Sequence, residues 1–311
     1  MTENPLVSVV VPTYDRPEVV RAVDSVLEQS YEPIELLVVD DCSPTPAADL
    51  LGSRTGIDRV SCLRHETNRR GNAARNTGIE AATGSYLAFL DDDDEWAPEK
   101  VERQVRALRA SGAGFAYSGV RNVDGEGRTL AIRSRRIEGQ VTERLLYGNF
   151  IGTFSCVMVR AAAIERVGLP DERLPCWQDW EFYLRLSRVY EASAVPEPLV
   201  IRHNEPTGQI SRGFVEKREV AYPFLRETIE RTAASEGRLG RRKALAALDY
   251  QLGYAALANG TYADSRRSLL RSVRRYPFEP GVYPYLLAAL GGRRVHPVAR
   301  RYKRALVDRL S

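Results

Sequence analysis

The stretch YLAFLDDDDEW, residues 86–96, sets an apolar run directly against four consecutive aspartates. Its apolar half has the composition of a β-strand that is buried on both faces. The four like charges that follow repel one another, so they need either free solvation or a bound cation. The sequence therefore leaves two alternatives for Asp91, Asp92, Asp93 and Asp94: a solvated acidic turn or a cation-binding site.

Strands and helices alternate on both sides of this stretch. The predicted strands are LVSVVVP (6–12), IELLVVDD (34–41), DRVSCLRH (58–65) and SYLAFLD (85–91), and the predicted helices cover residues 18–30, 71–84 and 97–112. This alternation predicts an α/β fold with a Rossmann-like, mostly parallel sheet and helices on both faces. Ligands of such sheets bind beyond the carboxyl ends of the strands, so polar residues there should converge on one edge.

Polar residues follow three of these strands. They are Thr13 and Asp15, then Asp40 and Asp41, then the four aspartates. Their convergence favours the cation site, and hard carboxylate oxygens suit Mg²⁺ or Mn²⁺. We expect Asp94 and Glu95 to begin the next turn, where acids suit a helix N-terminus. Of the four aspartates, Asp94 should therefore be the one that tolerates mutation best.

Composition and charge describe an ordinary globular protein in two parts. Of 311 residues, 43% are hydrophobic and 28% are charged. Residues 212–311 carry 21 Lys and Arg against 9 Asp and Glu, a net charge of +12, which leaves −8 for residues 1–211. No apolar run reaches bilayer length and the N-terminus lacks signal-peptide features, so a cytoplasmic location is expected. The four cysteines contain no CxxC pair and should be reduced thiols.

The basic part of the chain, residues 212–311, is predicted to be helical. Within it, residues 250–277 have the offsets of one tetratricopeptide unit. Such repeats normally need about three copies to bury a core, so a helical hairpin docked on the first domain is the alternative.

Three segments resemble the family 2 glycosyltransferases, and they occur in that family's order and spacing. They are VSVVVPTYDRPEVVRAVDSVLEQSYEPIELLVVDDCS, NRRGNAARNTGIEAATGSYLAFLDDDDEW and QDWEFYLRLS. The resemblance covers roughly residues 6–205 and implies a GT-A domain over 1–211. It also implies metal-dependent, inverting transfer of a sugar from an NDP-sugar, with UDP-sugar favoured, to a glycan or lipid-linked acceptor.

The resemblance places a DxD motif at Asp91-Asp92-Asp93. It implies that Asp93 coordinates the metal and that Asp91 and Asp92 lie near the ribose and the metal's water shell. It also implies that Asp41 accepts a hydrogen bond from the nucleotide base. The alternative is that Asp41 only belongs to a plain turn. The family usually has glycine at the next position, where this chain has Cys42.

Further donor contacts are implied around the base and the diphosphate. Pro12, Thr13 and Tyr14 would line the pocket of the nucleotide base, and Arg70 would contact the donor. Arg75 would do the same or would pair structurally with an aspartate of the edge.

The acceptor half carries the expected catalytic base. The segment QDWEF resembles the family's acidic motif and keeps Asp179, although Gln178 stands where glutamate is common. A helix cap is the alternative role for Asp179. Trp180 would stack on the acceptor or pack in the core. His203 would be an extra metal ligand or a structural residue, and Gly208 and Ser211 follow it on a loop that could close over the donor.

The basic part also bears on partners. Its Lys and Arg residues favour an anionic membrane surface, and solvated helix faces are the alternative. No nucleic-acid motif accompanies them, so no nucleic-acid partner is expected. Two other function classes remain open: a sugar nucleotidyltransferase, which would need a Gly- and Arg-rich phosphate loop that VPTYDRPE lacks, and a non-catalytic binding or scaffold protein.

Overall fold

The computed structural model describes residues 4–203 and 213–292 of the chain. The described residues divide into two compact units, which are treated separately below. The first consists of 4–142, 149–174 and 178–203, and the second of 143–148, 175–177 and 213–292. Gly208, Ser211 and the basic residues from Arg293 onward lie outside the described residues.

One mixed sheet forms the centre of the first unit. Its strands are β1 (Val7–Thr13), β2 (Ile34–Asp40), β3 (Val60–Arg64), β4 (Tyr86–Phe89), β5 (Asp94–Trp96), β6 (Phe115–Val123), β7 (Thr129–Arg133), β8 (Val157–Arg160) and β9 (Ala192–His203). Their order is β3-β2-β1-β4-β8-β6-β9-β5, with β7 paired to β6. The predicted strands at 6–12, 34–41, 58–65 and 85–91 are confirmed as β1 to β4, whereas the short strands β5 and β7 were not predicted.

Strand directions bring the functional residues to one edge. β1 runs parallel to β2 and β4, and β6 runs parallel to β9. Because β8 is antiparallel to both β4 and β6, those two strands point the same way. The carboxyl ends of β1, β2, β4, β6 and β9 therefore share the edge that the polar residues were predicted to occupy.

Seven helices connect these strands in the described sequence up to residue 203. They are α1 (Val19–Leu27), α2 (Ala47–Leu51), α3 (Gly71–Ala81), α4 (Lys100–Ser111), α5 (Thr142–Leu146), α6 (Ala161–Val167) and α7 (Gln178–Ser187). The small residues of α3 allow it to approach the sheet closely. A Cβ on Gly78 would lie 2.4 Å from a methyl carbon of Val10 in β1, so only glycine fits there.

Helices alone make up the described part of the second unit beyond residue 213. They are α8 (Phe214–Glu216), α9 (Tyr222–Thr232), α10 (Gly237–Ala258) and α11 (Tyr262–Arg275), and residues 282–292 are also helical. Leu257, Leu269, Val282 and Leu286 belong to the core that these helices share. The helical region that the sequence predicted is thus confirmed.

A buried carboxylate ties part of the basic region together. Asp249 in α10 is fully buried and accepts hydrogen bonds from Tyr222 Oη at 2.6 Å and Arg271 Nε at 2.5 Å. Arg275 Nη1 lies 3.0 Å from the same carboxylate. Two arginines of the basic region therefore hold the helices together rather than coating a solvated face. Across the described residues, no helix is both long and apolar enough to cross a membrane.

Candidate active site

The ends of β1 and β4 meet through a hydrogen bond between two predicted site residues. The hydroxyl of Thr13 donates to Asp92 Oδ2 at 2.8 Å, and both side chains are buried. Thr13 is therefore fixed by the acidic motif itself, and its remaining freedom to contact a ligand is small. This contact confirms that the two strand ends converge, as the parallel pairing requires.

Arg16 completes this part of the edge, although sequence reasoning did not single it out. Its Nη1 lies 2.5 Å from Asp93 Oδ2 and 3.7 Å from Asp92 Oδ1. The only sequence signal was its position three residues after β1, within the segment that resembles the family. Arg16 neutralises the acidic motif in the structure, so a cation or a ligand would compete with it.

Exposure separates the three aspartates of the DxD motif. The side chain of Asp93 is 37% exposed, against 23% for Asp91 and 12% for Asp92. Burial raises the pKa of Asp92 to about 7, while Arg16 and Thr13 oppose that rise. Asp93 is thus the carboxylate of the motif with the freest access from solvent.

Asp94 does not begin a turn as expected, and its burial argues against the expectation that it tolerates mutation best. It is the first residue of β5, stands opposite Arg202 of β9 and is only 2% exposed. Ser155 Oγ donates to Asp94 Oδ2 at 2.7 Å and accepts the amide of Asp91 at 3.0 Å. Burial and the neighbouring charges of Asp91 and Asp93 raise the pKa of Asp94 well above its ordinary value.

The sequence left two roles open for Arg75 of α3, a donor contact or a structural pair with an aspartate. The structure shows the pair. Arg75 Nη2 donates to Asp91 Oδ1 at 2.5 Å, and its guanidinium carbon lies 4.4 Å from the centre of the Phe154 ring. Its Nη1 also donates to Gln178 Oε1 at 3.3 Å. Arg75 therefore links the acidic motif to the start of α7, which carries the expected base.

Asp41 organises the loop that precedes α3. Its Oδ1 accepts the amide of Arg69 at 2.8 Å and contacts His65 Nδ1 at 2.7 Å, and its Oδ2 accepts the amide of Arg70 at 2.6 Å. Arg70 caps α3 with a φ of 73°. Contact of Asp41 with a base stays a prediction, and His65 is a neighbour that the sequence gave no reason to choose.

The turn after β2 explains the family's preference for glycine at position 42. Cys42 has a φ of 67°, in the left-handed region that glycine adopts without strain. Its Sγ lies 3.3 Å from the carbonyl oxygen of Glu66, which helps to hold the turn. Nearby, Pro12 lies in buried β1, while the Tyr14 ring is 47% exposed and accessible to a ligand.

The expected base, Asp179, lies in the first turn of α7. Its Oδ1 accepts the amide of Trp180 at 2.7 Å. Burial raises the pKa of Asp179 to about 6; that amide lowers it, Asp91 raises it, and Arg75 and Arg202 lower it. Because Arg75 is hydrogen-bonded to both Asp91 and Gln178, the residue before Asp179, the expected base lies near the acidic motif. Trp180 is buried, which fits the core alternative rather than an open stacking surface.

His203 ends β9 and is hydrogen-bonded through Nε2 to Glu95 of β5. Glu95 also pairs with Arg21 Nε at 2.9 Å. In residues 4–203 and 213–292, no three His, Cys, Asp or Glu side chains form a group able to hold a metal ion. Metal binding by His203 therefore stays a prediction.

The donor chemistry of Asp93 nevertheless fits a divalent cation. It offers hard carboxylate oxygens, and its side chain is the most exposed of the motif. Mg²⁺ commonly takes only one or two carboxylates from a protein and completes its shell with substrate phosphates and water. A site that is finished by a diphosphate needs no third protein ligand.

Comparison with known proteins supports the resemblance seen in the sequence. The model of the family described as Glycosyl transferase family 2 matches residues 8–168. The amylovoran biosynthesis glycosyltransferase AmsB of Erwinia amylovora is 33% identical over 213 residues, which are 63% of this chain and 69% of AmsB.

A second relative and a solved structure extend the comparison. The UDP-Glc:alpha-D-GlcNAc-diphosphoundecaprenol beta-1,3-glucosyltransferase WfaP of Escherichia coli is 32% identical over 114 residues, 36% of this chain and 45% of WfaP. The crystal structure of S. aureus TarS 1-349 in complex with UDP-GlcNAc matches with a TM-score of 0.57 at 16% identity. That alignment covers 89% of this chain and 91% of the TarS chain, and it shows a shared fold.

Proposed function

The chain belongs to glycosyl transferase family 2, and on that premise we propose a metal-dependent, inverting transfer of a sugar from a UDP-sugar to a glycan acceptor. The observation that carries the proposal is the meeting of three groups at one edge of the sheet. The acidic motif after β4, Thr13 after β1 and the expected base Asp179 are connected by Arg75 and by hydrogen bonds.

Donor binding would use the edge formed by β1, β2 and β4. The exposed ring of Tyr14 offers a face on which the nucleotide base can stack, beside the loop that Asp41 organises. Asp93 would hold Mg²⁺ or Mn²⁺, which when bound neutralises the charge that develops on the leaving diphosphate. Arg16, now paired with Asp93, is a cation that could turn to the same phosphates.

Asp179 would accept the proton of the attacking acceptor hydroxyl. Its pKa of about 6 leaves it mostly ionised at neutral pH and makes it a stronger base than an ordinary aspartate. The ion pair of Arg75 and Asp91 would hold the start of α7 through Gln178 and so orient the catalytic base. One base and one displacement fit inversion at the anomeric carbon.

The acceptor would belong to the assembly of a cell-surface polysaccharide. The names of AmsB and WfaP support this, since one refers to amylovoran and the other to a diphosphoundecaprenol-linked sugar. A lipid-linked acceptor would bring the enzyme to the cytoplasmic face of a membrane. The basic helices would then add attraction to anionic lipid, with each exposed Lys or Arg contributing about 1 kcal/mol.

Release of nucleoside diphosphate from a panel of UDP-sugars tests the proposal, with Mn²⁺ and with EDTA. We expect EDTA to abolish release and Asp93→Ala to reduce it on the order of 100-fold. Glu165→Ala, which removes an exposed acid on α6, is the matched control and should behave as wild type. Activity that survives both EDTA and Asp93→Ala would rule out the metal assignment.

A further inference from the structure

A cavity of ≈ 60 Å³ lies in the first unit beside β6, β7 and β9, apart from the proposed donor residues. Its lining includes Asn122, Arg133, Arg135, Phe150 and Arg202. None of the described residues that line it is an aspartate or a glutamate. The cavity therefore concentrates three positive charges on one small space, in contrast to the acidic motif.

Hydrogen bonds inside the first unit hold the walls of this cavity in place. Tyr117 Oη donates to the carbonyl oxygen of Ile137 at 2.9 Å and accepts its amide at 3.0 Å, which fixes the segment after Arg135. The Tyr117 ring meets Phe150 edge-on, with centroids 5.7 Å apart. Asn149 Oδ1 accepts the amides of residues 151 and 152, both at 3.1 Å. These contacts hold the backbone around the cavity in place.

The glycine at the floor of the pocket is required by the same packing. A Cβ on Gly119 would lie 2.9 Å from the carbonyl oxygen of Arg133 and 3.0 Å from those of Pro196 and Glu197. The backbone of β7 can approach β6 this closely only over a glycine. The position of Arg133 beside the cavity is therefore set by the sheet.

The three arginines have no ion-pair partner among the residues that the structure describes. Elsewhere in the first unit, arginines beside the edge are paired, as Arg16 is with Asp93 and Arg75 with Asp91. Guanidinium groups bind phosphate and carboxylate in a two-point geometry. Unpaired arginines around a cavity are therefore suited to an oxyanion supplied by a ligand.

Arg202 connects the cavity to the expected base. It stands opposite Asn122 of β6 and Asp94 of β5 in the sheet, and its charge lowers the pKa of Asp179. Arg202 thus belongs both to the lining of the cavity and to the charged surroundings of Asp179. Phe150 adds an apolar ring beside the charges, as is usual in pockets that bind small ligands.

We propose that the pocket of Arg133, Arg135 and Arg202 binds an oxyanion, either phosphate or carboxylate, carried by the acceptor. This inference rests on the proposed function, since it names the acceptor class for the same site. The anion can come from a phosphodiester next to a lipid or from an acidic sugar of the glycan. Both sources offer the same chemistry to the arginines.

Calorimetric titration with two matched pairs of probes tests the proposal and separates the sources. The first pair is the octyl phosphodiester of N-acetylglucosamine 1-phosphate and neutral octyl N-acetylglucosaminide. The second pair is tetragalacturonate and its neutral methyl ester. UDP and Mn²⁺ are kept saturating, so that anions cannot bind at the donor site. We expect one anionic probe to bind at least about tenfold more tightly than its neutral match.

Variants assign that binding to the pocket. Arg133→Gln with Arg135→Gln should remove the preference for the anionic probe, whereas Arg106→Gln, at an exposed position on α4, should keep it. Preference for the phosphodiester identifies the lipid-proximal source, and preference for tetragalacturonate identifies an acidic sugar. Equal binding of anionic and neutral probes, binding of neither, or an unchanged preference in the double variant would overturn the proposal.

Nucleotide binding distinguishes this failure from failure of the proposed function. The same variants are titrated with UDP and Mn²⁺, and we expect wild-type affinity because neither substituted residue contacts the donor edge. A wild-type protein that binds no nucleotide would overturn the proposed function. An arginine variant that keeps UDP binding and loses the anionic probe would instead support the pocket by itself.

Discussion

Around the ends of β1 and β4 each aspartate of the DxD motif has a partner, whereas the three arginines that line the cavity, Arg133, Arg135 and Arg202, form no ion pair with a described residue. Asp91 is paired with Arg75, Asp92 with Thr13, and Asp93 with Arg16. The donor edge is therefore largely neutralised from within. A ligand that enters it must replace existing interactions.

The arginine-lined cavity follows the opposite arrangement. Neutral hydrogen bonds hold the backbone around it, and its three arginines form no ion pair with a described residue. The comparison teaches that paired and unpaired charges in one sheet can have different purposes. Paired charges build and orient a site, and unpaired charges at a cavity select what enters it.

The largest effect is expected at the proposed catalytic base, Asp179. We expect Asp179→Asn to lower the rate of transfer by about 10²- to 10⁴-fold, because general base catalysis contributes that much. Binding of the nucleotide sugar should stay unchanged, since Asp179 is proposed to act on the acceptor hydroxyl and not to hold the donor. Initial rates and calorimetric donor affinity measure the two effects. Turnover near the wild-type rate would remove Asp179 from the mechanism.

Substitution of Asp94 tests whether the acidic residues of the donor edge also stabilise the fold. We expect Asp94→Ala to lower the free energy of unfolding by about 1–3 kcal/mol, because the buried hydroxyl of Ser155 loses its acceptor. Asp94→Asn keeps an acceptor oxygen and should cost less. Asp93→Ala is the matched comparison at an exposed position and should leave the urea midpoint unchanged. Equal midpoints for Asp94→Ala and Asp93→Ala would contradict this account.

Lys100 is an unpaired cation that is buried away from any described pocket. Its Nζ has no hydrogen-bond partner among the described residues and lies 3.4 Å from the centre of the Trp96 ring. We expect Lys100→Met to raise the free energy of unfolding by about 1–2 kcal/mol, because a buried polar group without a partner is removed. Denaturant titration measures the change, with Arg106→Gln as a surface control. A destabilised methionine variant would show that the contact with Trp96 outweighs the burial cost.

The pH dependence of that gain follows from the direction of the pKa shift. Burial lowers the pKa of Lys100 well below its ordinary value. The unfolded chain therefore binds more protons than the folded chain between the lowered pKa and about 10.4, and stability rises with pH there. The advantage of Lys100→Met should be largest at low pH and should shrink toward pH 10. A constant difference across that range would argue against a buried amine that titrates.

Arg202 lines the cavity, and its charge also acts on the catalytic base Asp179. Substitution of Arg202 therefore tests the connection between the cavity and the base, which the other two arginines do not. The plot of kcat/KM against pH should rise through an apparent pKa of about 6, as Asp179 loses its proton. Arg202→Gln should move that rise to higher pH, because the nearby positive charge lowers the pKa of Asp179. The opposing charge of Asp91 and the charge of Arg75 are unchanged in this variant. Arg133→Gln is the control and should leave the profile in place; identical profiles for both variants would disconnect the cavity from the base.

The smallest change in stability is expected at Cys42, in the turn after β2 on the donor edge. Cys42 has a φ of 67°, and a left-handed conformation costs a non-glycine residue roughly 1–2 kcal/mol. Cys42→Gly relieves that strain but gains chain entropy in the unfolded state, so a net stabilisation of about 0.5–1 kcal/mol is expected. Cys42→Ala keeps the strain and loses the thiol contact, so it should be less stable than wild type. An alanine variant more stable than the glycine variant would show that the turn relaxes.

Much of the fold could be predicted because buried parallel strands have a simple sequence signature. The runs that became β1, β2 and β4 are largely apolar on both faces and are followed by polar residues, so the edge of the site could be predicted from the sequence. The short strands β5 and β7 were missed since runs of three and five residues are too short for an alternating pattern to stand out. They exist only because neighbouring strands supply hydrogen-bond partners.

The sequence by itself determined the family, the acidic motif and its position after a buried strand. Only the tertiary structure decided which of four adjacent aspartates is exposed and which is interior, because antiparallel pairing with β9 draws Asp94 into the sheet. It also decided that Arg75 supports Asp91, and that Arg202 lines one cavity together with Arg133 and Arg135, which lie far from it in sequence. Local patterns specify strands and helices, whereas the partner of a charge depends on contacts between residues far apart in the chain.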